Sequence, residues 1–399
     1  MDKQKTLALI KELSEVPGAP GFEDEAVAVI RRHGEGLGEW AEDSMRNLYL
    51  SRTGNWLAGD CDCGDDCDCG DDCDCGDDCG DGCQCDEAGH SHDCCGEHDP
   101  RPILLLDAHS DEVGFMVRSV RPNGLLDFVT LGGWVPYNIP AHRVLVRNRD
   151  GKWIPGVVTS KPPHFLSEAE KKQVPDVTEM SIDIGASSDT EVRESYRISI
   201  GTPVVPDVPF YYDNDHDIMS GKAFDDRLGC AALIAILREL DGVELGVNII
   251  AAFAGQEEMG LRGATVTAQN VRPDMAICFE GSPADDTIGT GAVQTAVKKG
   301  PMLRHFDMRM ITNPRFQRYT LDLAEKAGIP HQEAVRTGGS TNAGIIHLSG
   351  RAVPSVVIGL PVRYIHTHYG IASYADFENT VKLGCEVIRN LNREVFGGF

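Results

Sequence analysis

Short apolar runs that stop at charged residues recur along the chain. Val247 to Ala254 is apolar and β-branched at Val247, Ile249 and Ile250, which predicts a buried strand. Gly255 and Gly260 bracket a turn that carries Gln256, Glu257 and Glu258. Ile103 to Leu106 predicts a second buried strand, ending at Asp107-Ala108-His109-Ser110-Asp111-Glu112. Asp274 to Phe279 predicts a third, ending at Glu280, and Pro354 to Ile358 a fourth, followed by Arg363-Tyr364-Ile365-His366-Thr367-His368. Helical periodicity covers Leu7 to Leu13 (ending at Val16-Pro17-Gly18), Glu25 to His33, Cys230 to Leu240, Pro314 to Ala327 and Asp376 to Val395. Asp43 to Trp56 reads as a strand, a turn at Thr53-Gly54-Asn55 and the start of a return strand. Strands and helices together give an α/β class, in which ligands collect beyond the carboxyl ends of the strands.

From Gly114 to about Pro209 the texture changes. Strand-like pieces at 115–120, 125–131, 143–146, 153–158 and 180–184 alternate with turns, which predicts an inserted β-rich domain of barrel or sandwich type. The chain therefore divides into a catalytic domain at 1–112 and 210–399 and an insertion at 113–209. His164, in a loop of the insertion, is read as a surface histidine, with a place at the active site as the alternative.

Composition changes this picture at one place. Asp60 to Asp99 holds 14 Asp, 2 Glu and no Lys or Arg, and taking these 16 carboxylates from the net charge of -25 leaves -9. Of 14 cysteines, 11 lie between Cys61 and Cys95, where Cys-Asp-Cys-Gly-Asp-Asp occurs three times in succession. So little apolar surface cannot offset the entropy of ordering, so a disordered surface insertion is expected. Paired cysteines near His90 and His92 also suit zinc or copper(I). Cys230, Cys278 and Cys385 each sit in an apolar context and read as buried thiols of a reducing compartment. No apolar run is long enough to span a bilayer, and the start of the chain has no signal core, so a cytoplasmic protein without a membrane partner is expected. The acidic body argues against a nucleic-acid partner.

The predicted strand and helix ends present two imidazoles and three carboxylates: His109, Asp225, Glu258, Glu280 and His366. Such N/O donors suit zinc, cobalt or manganese. If Asp225 bridges, His109, Asp225 and Glu280 hold one ion, and Asp225, Glu258 and His366 hold a second. Two ions about 3.5–4 Å apart activate a bridging hydroxide, with Glu257 as general base. A carboxylate near His109 is suited to hold its ring from outside the coordination sphere.

His-x-Asp-Glu-Val-Gly at His109, Asp-Asp-Arg at Asp225, Gln-Glu-Glu-Met-Gly-Leu-Arg-Gly at Gln256 and Arg-Tyr-Ile-His at Arg363 resemble the dinuclear metallo-aminopeptidases. That family includes the glutamyl aminopeptidases and the tetrahedral, twelve-subunit aminopeptidases. The resemblance implies His109, Asp225, Glu258, Glu280 and His366 as ligands of two divalent ions, Glu257 as base and Asp111 as the residue orienting His109. It also implies a three-layer αβα catalytic domain with a mixed sheet, a barrel or PDZ-like insertion, a homo-oligomer with the dodecamer among its forms, and a cis peptide between Asp225 and Asp226. The family usually has Asp where Glu280 stands, so the ligand is Glu280 or else Asp285 or Asp286. It commonly has Asp at Asn342, proline at His368 and an acidic residue near Gly370.

The leading expectation is a cytosolic metal-dependent aminopeptidase acting on short peptides. The alternatives are a dinuclear carboxypeptidase or N-acyl amino-acid deacylase, and a metal buffer that uses the cysteine-rich insertion on an inactive scaffold. A glycosidase is disfavoured, because Glu257 lies beside a metal ligand.

Overall fold

The computed structural model describes residues 2–52, 101–288 and 291–399. Among these is a mixed eight-stranded sheet in the order 39–42, 48–51, 248–254, 103–109, 275–283, 355–362, 302–306, 332–335. The central strands Asn248–Ala254, Ile103–His109, Met275–Pro283 and Ser355–Val362 run parallel, so their carboxyl ends meet at one edge. All the residues of Asn248–Ala254 and Ser355–Val362 are buried, as expected for parallel strands covered on both faces. Alternate residues feed two separate cores. Leu104, Leu106, Ile249 and Phe253 join the larger one, with the helices Lys3–Glu15, Asp24–His33, Phe224–Glu239 and Tyr374–Asn390. Leu105, Ile250, Ala276 and Val357 join the smaller one, with Arg262–Val271.

Local chemistry sets the helix ends. Asp2 accepts from Gln4 N at 3.0 Å and Lys5 N at 3.2 Å, capping the first helix. Asn313 caps Pro314–Ala327 in the same way, with proline at the first turn and Gly328 closing the last at φ 66°. Tyr374–Asn390 is shorter than the periodicity predicts. It stops at the extended Leu391, and Arg393–Phe396 follows as a separate turn capped by Asn392.

Six strands, at 114–120, 126–131, 182–183, 153–158, 143–147 and 203–206, close into a barrel, which resolves the choice between barrel and sandwich. Its first and last strands pair, Phe115 against Val204, so the chain enters and leaves side by side. The expected strand within 43–56 is confined to Leu48–Ser51. Its partner is the preceding Glu39–Glu42, with the turn at 43–47, where Asp43 accepts from Met45 N and Asn47 N. The expected return strand and the cysteine-rich insertion lie outside the described residues. No helix among the described residues is long and apolar enough to cross a membrane.

Candidate active site

Strand register brings the site together. Ala254 pairs with His109, and Cys278 pairs with Asp107, so His109 and Glu280 stand two residues beyond that second pair on neighbouring strands. Beyond Ala254 the chain turns sharply, with Gln256 at φ 55°, and delivers Glu257 and Glu258. Asp225 enters from the first turn of Phe224–Glu239, and the Asp225–Asp226 peptide is cis, as the resemblance implies. His366 arrives on the loop after Ser355–Val362.

Asp225 lies between the two imidazoles. Its Oδ1 is 3.2 Å from His109 Nε2, and its Oδ2 is 3.3 Å from His366 Nε2. His366 Nε2 is also 3.3 Å from Glu258 Oε1, and Glu257 Oε2 is 3.9 Å from His109 Nε2. Asp111 reaches three of these residues. Its Oδ1 is 3.3 Å from His109 Nδ1 and accepts from Glu257 N at 2.9 Å, while its Oδ2 accepts from Glu258 N at 3.1 Å. One carboxylate thus lies beside the ring of His109 and bonds the turn bearing the two glutamates.

Donor atoms of His109, Asp225 and Glu258 all fall within 4.8 Å of one another, and so do those of His109, Asp226 and Glu280. Asp226 is already committed. It accepts from His109 N at 3.2 Å, Gly229 N at 3.0 Å and Gly281 N at 2.9 Å, tying two strands to the helix. Asp285 and Asp286 are bound elsewhere, Asp285 to Arg336 at 3.1 Å and Asp286 to Arg363 at 2.7 Å. Of the three carboxylates considered for that station, Glu280 is the one in the donor cluster.

The electrostatics follow from crowding. Burial pushes Glu257 up to about 8, and burial with neighbouring Asp225 and Glu257 holds Glu280 well above the usual carboxylate range. Burial opposes the charge of His366, but Glu258 and Asp225 outweigh it and lift the imidazole to about 11. Glu258 Oε1 is buried without a hydrogen bond. A surplus of buried carboxylates converging on imidazoles is the donor set of a divalent cation, and the residues present fit one.

Several residues that matter here were not anticipated. Asp226 enters the sequence reading only through its peptide bond to Asp225. Glu112 receives Lys222 Nζ at 2.5 Å, and both are buried. Glu23 Oε1 accepts from Gly21 N at 2.7 Å and Gln256 N at 3.1 Å, beneath the glutamate turn. Asn342 donates to buried Asp107 Oδ1 at 2.7 Å. Only the adjacent acids at Asp225 and Asp111-Glu112 hinted at these contacts. His164 is exposed on the barrel. His368 is buried and stacks on His142, ring centroids 4.1 Å apart.

Residues 95–383 match the family model of M42 glutamyl aminopeptidases. The glutamyl aminopeptidase of Lactococcus lactis subsp. cremoris (strain MG1363) is 35% identical over 294 residues, covering 73% of this chain and 82% of that protein. The crystal structure of a TET aminopeptidase from the marine sediment archaeon Thaumarchaeota archaeon SCGC AB-539-E09 superposes with a TM-score of 0.84 at 34% identity, covering 99% of each chain. The TET1 peptidase of Pyrococcus horikoshii, which can assemble into a tetrahedron or a large octahedral shell, gives a TM-score of 0.77 at 25% identity, covering 97% of this chain and 100% of that one. The chain is thus a hydrolase of the aminopeptidase class and belongs to the M42 glutamyl aminopeptidase family.

Proposed function

We propose that the protein removes N-terminal residues from short peptides with two divalent cations, zinc, cobalt or manganese. His109, Asp225 and Glu280 would hold one, and Asp225, Glu258 and His366 the other. The observation that carries this reading is the placement of Asp225, whose two oxygens face two different imidazoles at 3.2 and 3.3 Å. When bound, such a pair polarises the scissile carbonyl and acidifies the water that attacks it. Glu257 takes the water's proton at Oε2 and passes it to the leaving amine. Asp111 holds His109 and the amides of Glu257 and Glu258 in place.

A narrow cleft opens beside Asp225, Glu258 and His366, and Val113, Phe224, Val362 and Ile365 give it apolar walls. Among the described residues, no Lys or Arg lines it. A carboxypeptidase needs a cationic side chain there for the substrate carboxylate, which an aminopeptidase does not. The apolar walls favour neutral N-terminal side chains.

The eight-stranded sheet and its two coats of helices read as a three-layer αβα catalytic body formed by 1–112 and 210–399. The barrel at 113–209 reads as a PDZ-like insertion through which subunits assemble, in keeping with the assemblies of the Pyrococcus relative. Buried free thiols at Cys230, Cys278 and Cys385 suit the cytoplasm.

The test uses aminoacyl-p-nitroanilides after chelator stripping. Turnover should vanish and return with zinc, cobalt or manganese. Glu257→Gln should lower kcat roughly 10²- to 10⁴-fold while retaining the metals. Undiminished turnover in that variant refutes the reading. N-terminally blocked peptides should be rejected, and a preference for them would indicate the deacylase.

A further inference from the structure

The barrel touches the site directly, through the turn at Gly132-Gly133. His366 Nδ1 lies 3.0 Å from Gly133 O. A carbonyl can only accept, so Nδ1 carries a proton, and Nε2 is the nitrogen that faces Asp225 and Glu258. Both glycines are needed for the approach. A Cβ at Gly133 would lie 2.9 Å from His366 Nδ1, and one at Gly132, where φ is 87°, would lie 2.7 Å from Val113 Cγ1 and 3.1 Å from Glu258 Oε2.

The turn is itself anchored on both flanks. Gly132 N points to Met259 Sδ at 3.3 Å, and Met259 packs against the cluster formed by Ala19 with Leu131 and Val205 of the barrel. Trp134 Nε1 donates to Gly114 O at 3.0 Å, and its ring stacks on Phe115 with centroids 4.6 Å apart. The barrel therefore grips the chain one residue after Glu258 and bonds the ring of His366. His109 is held instead by the catalytic body, through Asp111 and Asp226.

We propose that the Gly132-Gly133 turn is a positioning element for one metal site alone, the Asp225, Glu258 and His366 side. Occupancy of that site then depends on the barrel being seated on the catalytic body, while the His109 side loads without it. This inference rests on the two-cation reading above.

The test is manganese(II) binding to the full chain, followed by equilibrium dialysis and electron paramagnetic resonance. Manganese prefers carboxylate and imidazole to thiolate, so the cysteines at 61–95 compete little, and whatever the acidic segment at 60–99 takes up is the same in every variant and cancels in the comparison. The unaltered protein should bind a spin-coupled pair; failure to do so sinks the two-cation reading and this inference with it, whereas a failure confined to the variants sinks this inference alone. Gly133→Ala should leave one ion bound as before, with an uncoupled manganese spectrum, and weaken the other about 10- to 100-fold. Trp134→Phe keeps the ring stack and loses only the N–H, so it should weaken the same site by a smaller factor. Val129→Ala, an exposed barrel position, should change neither. Equal weakening of the two sites, or of neither, in both Gly133→Ala and Trp134→Phe overturns the proposal.

Discussion

Buried carboxylates are costly unless something meets them, and this protein meets them in different ways. Glu112 is met by Lys222 and by Gly18 N at 3.1 Å. Removing one partner strands the other, so Lys222→Met should cost about 3–5 kcal/mol. The double variant Glu112→Gln/Lys222→Met should regain most of that loss; urea unfolding of the three proteins checks both statements. Glu23 is met less fully, because its Oε2 is buried without a partner. Burial, then the nearby charge of Asp111, raises its pKa from 4.5 to about 7. The native state thus holds a proton that the unfolded chain releases, so this residue's contribution is complete below about pH 4.5 and falls as pH rises to about 7. Thermal melts across that window should show the slope, and Glu23→Gln should flatten it. At this scale the sequence displayed the donors of the cluster, because His109, Asp225, Glu257, Glu258, Glu280 and His366 all stand at ends of periodic segments. It hid Asp226, Glu23 and the Glu112–Lys222 pair. Their roles depend on amides and ammonium groups brought in from distant parts of the chain.

Elements were legible where burial is uniform. The strands at 248–254 and 355–362 are apolar throughout and were recognised, although the second runs to Val362, past Gly359 and Pro361, where the pattern weakens. Glu39–Glu42 and Gln332–Val335 are the two outer strands, and their mixed exposure left no alternation to read. Arg262–Val271 was missed because much of it is polar, and only a stripe of Gly263, Ala264, Thr267, Ala268 and Val271 is buried. Packing between elements also explains glycines that no periodicity reveals. A Cβ at Gly281 would lie 2.7 Å from Asp225 Cα and 2.7 Å from Phe224 O, both backbone atoms that cannot swing aside. Gly281→Ala should therefore push the helix start off the strand, destabilise by about 1–3 kcal/mol and depress kcat. Gly291→Ala, where a Cβ meets nothing within 4 Å, should do neither. Melting temperature and turnover of the two variants, measured together, decide the matter.

At the scale of the molecule, the 16 negative charges that separate -25 from -9 all belong to one segment, and the sheet shows where that segment is attached. Ser51 pairs with Ile250 and Ile103 pairs with Asn248, so the chain leaves and returns on either side of one strand, at the start of that strand. Two strands flanking a third are about 10 Å apart. Without 60–99, residues 53–59 and Pro100 still link Arg52 to Arg101, and they reach roughly 30 Å when extended, ample for that gap. His109 pairs with Ala254 at the far end of the same strand, about 20 Å from the attachment points. Deleting Asp60–Asp99 should therefore leave the melting temperature and the peptidase turnover in excess metal unchanged. A metal buffer on an inactive scaffold would show no turnover with or without the insertion, and its metal uptake would leave with the cysteines. If the insertion feeds metal to the site, the deletion should matter only when zinc is limiting. Reconstitution of both proteins at buffered free zinc separates the cases: equal loading at every concentration removes any supply role, and loss of turnover in excess zinc removes the aminopeptidase reading of the body.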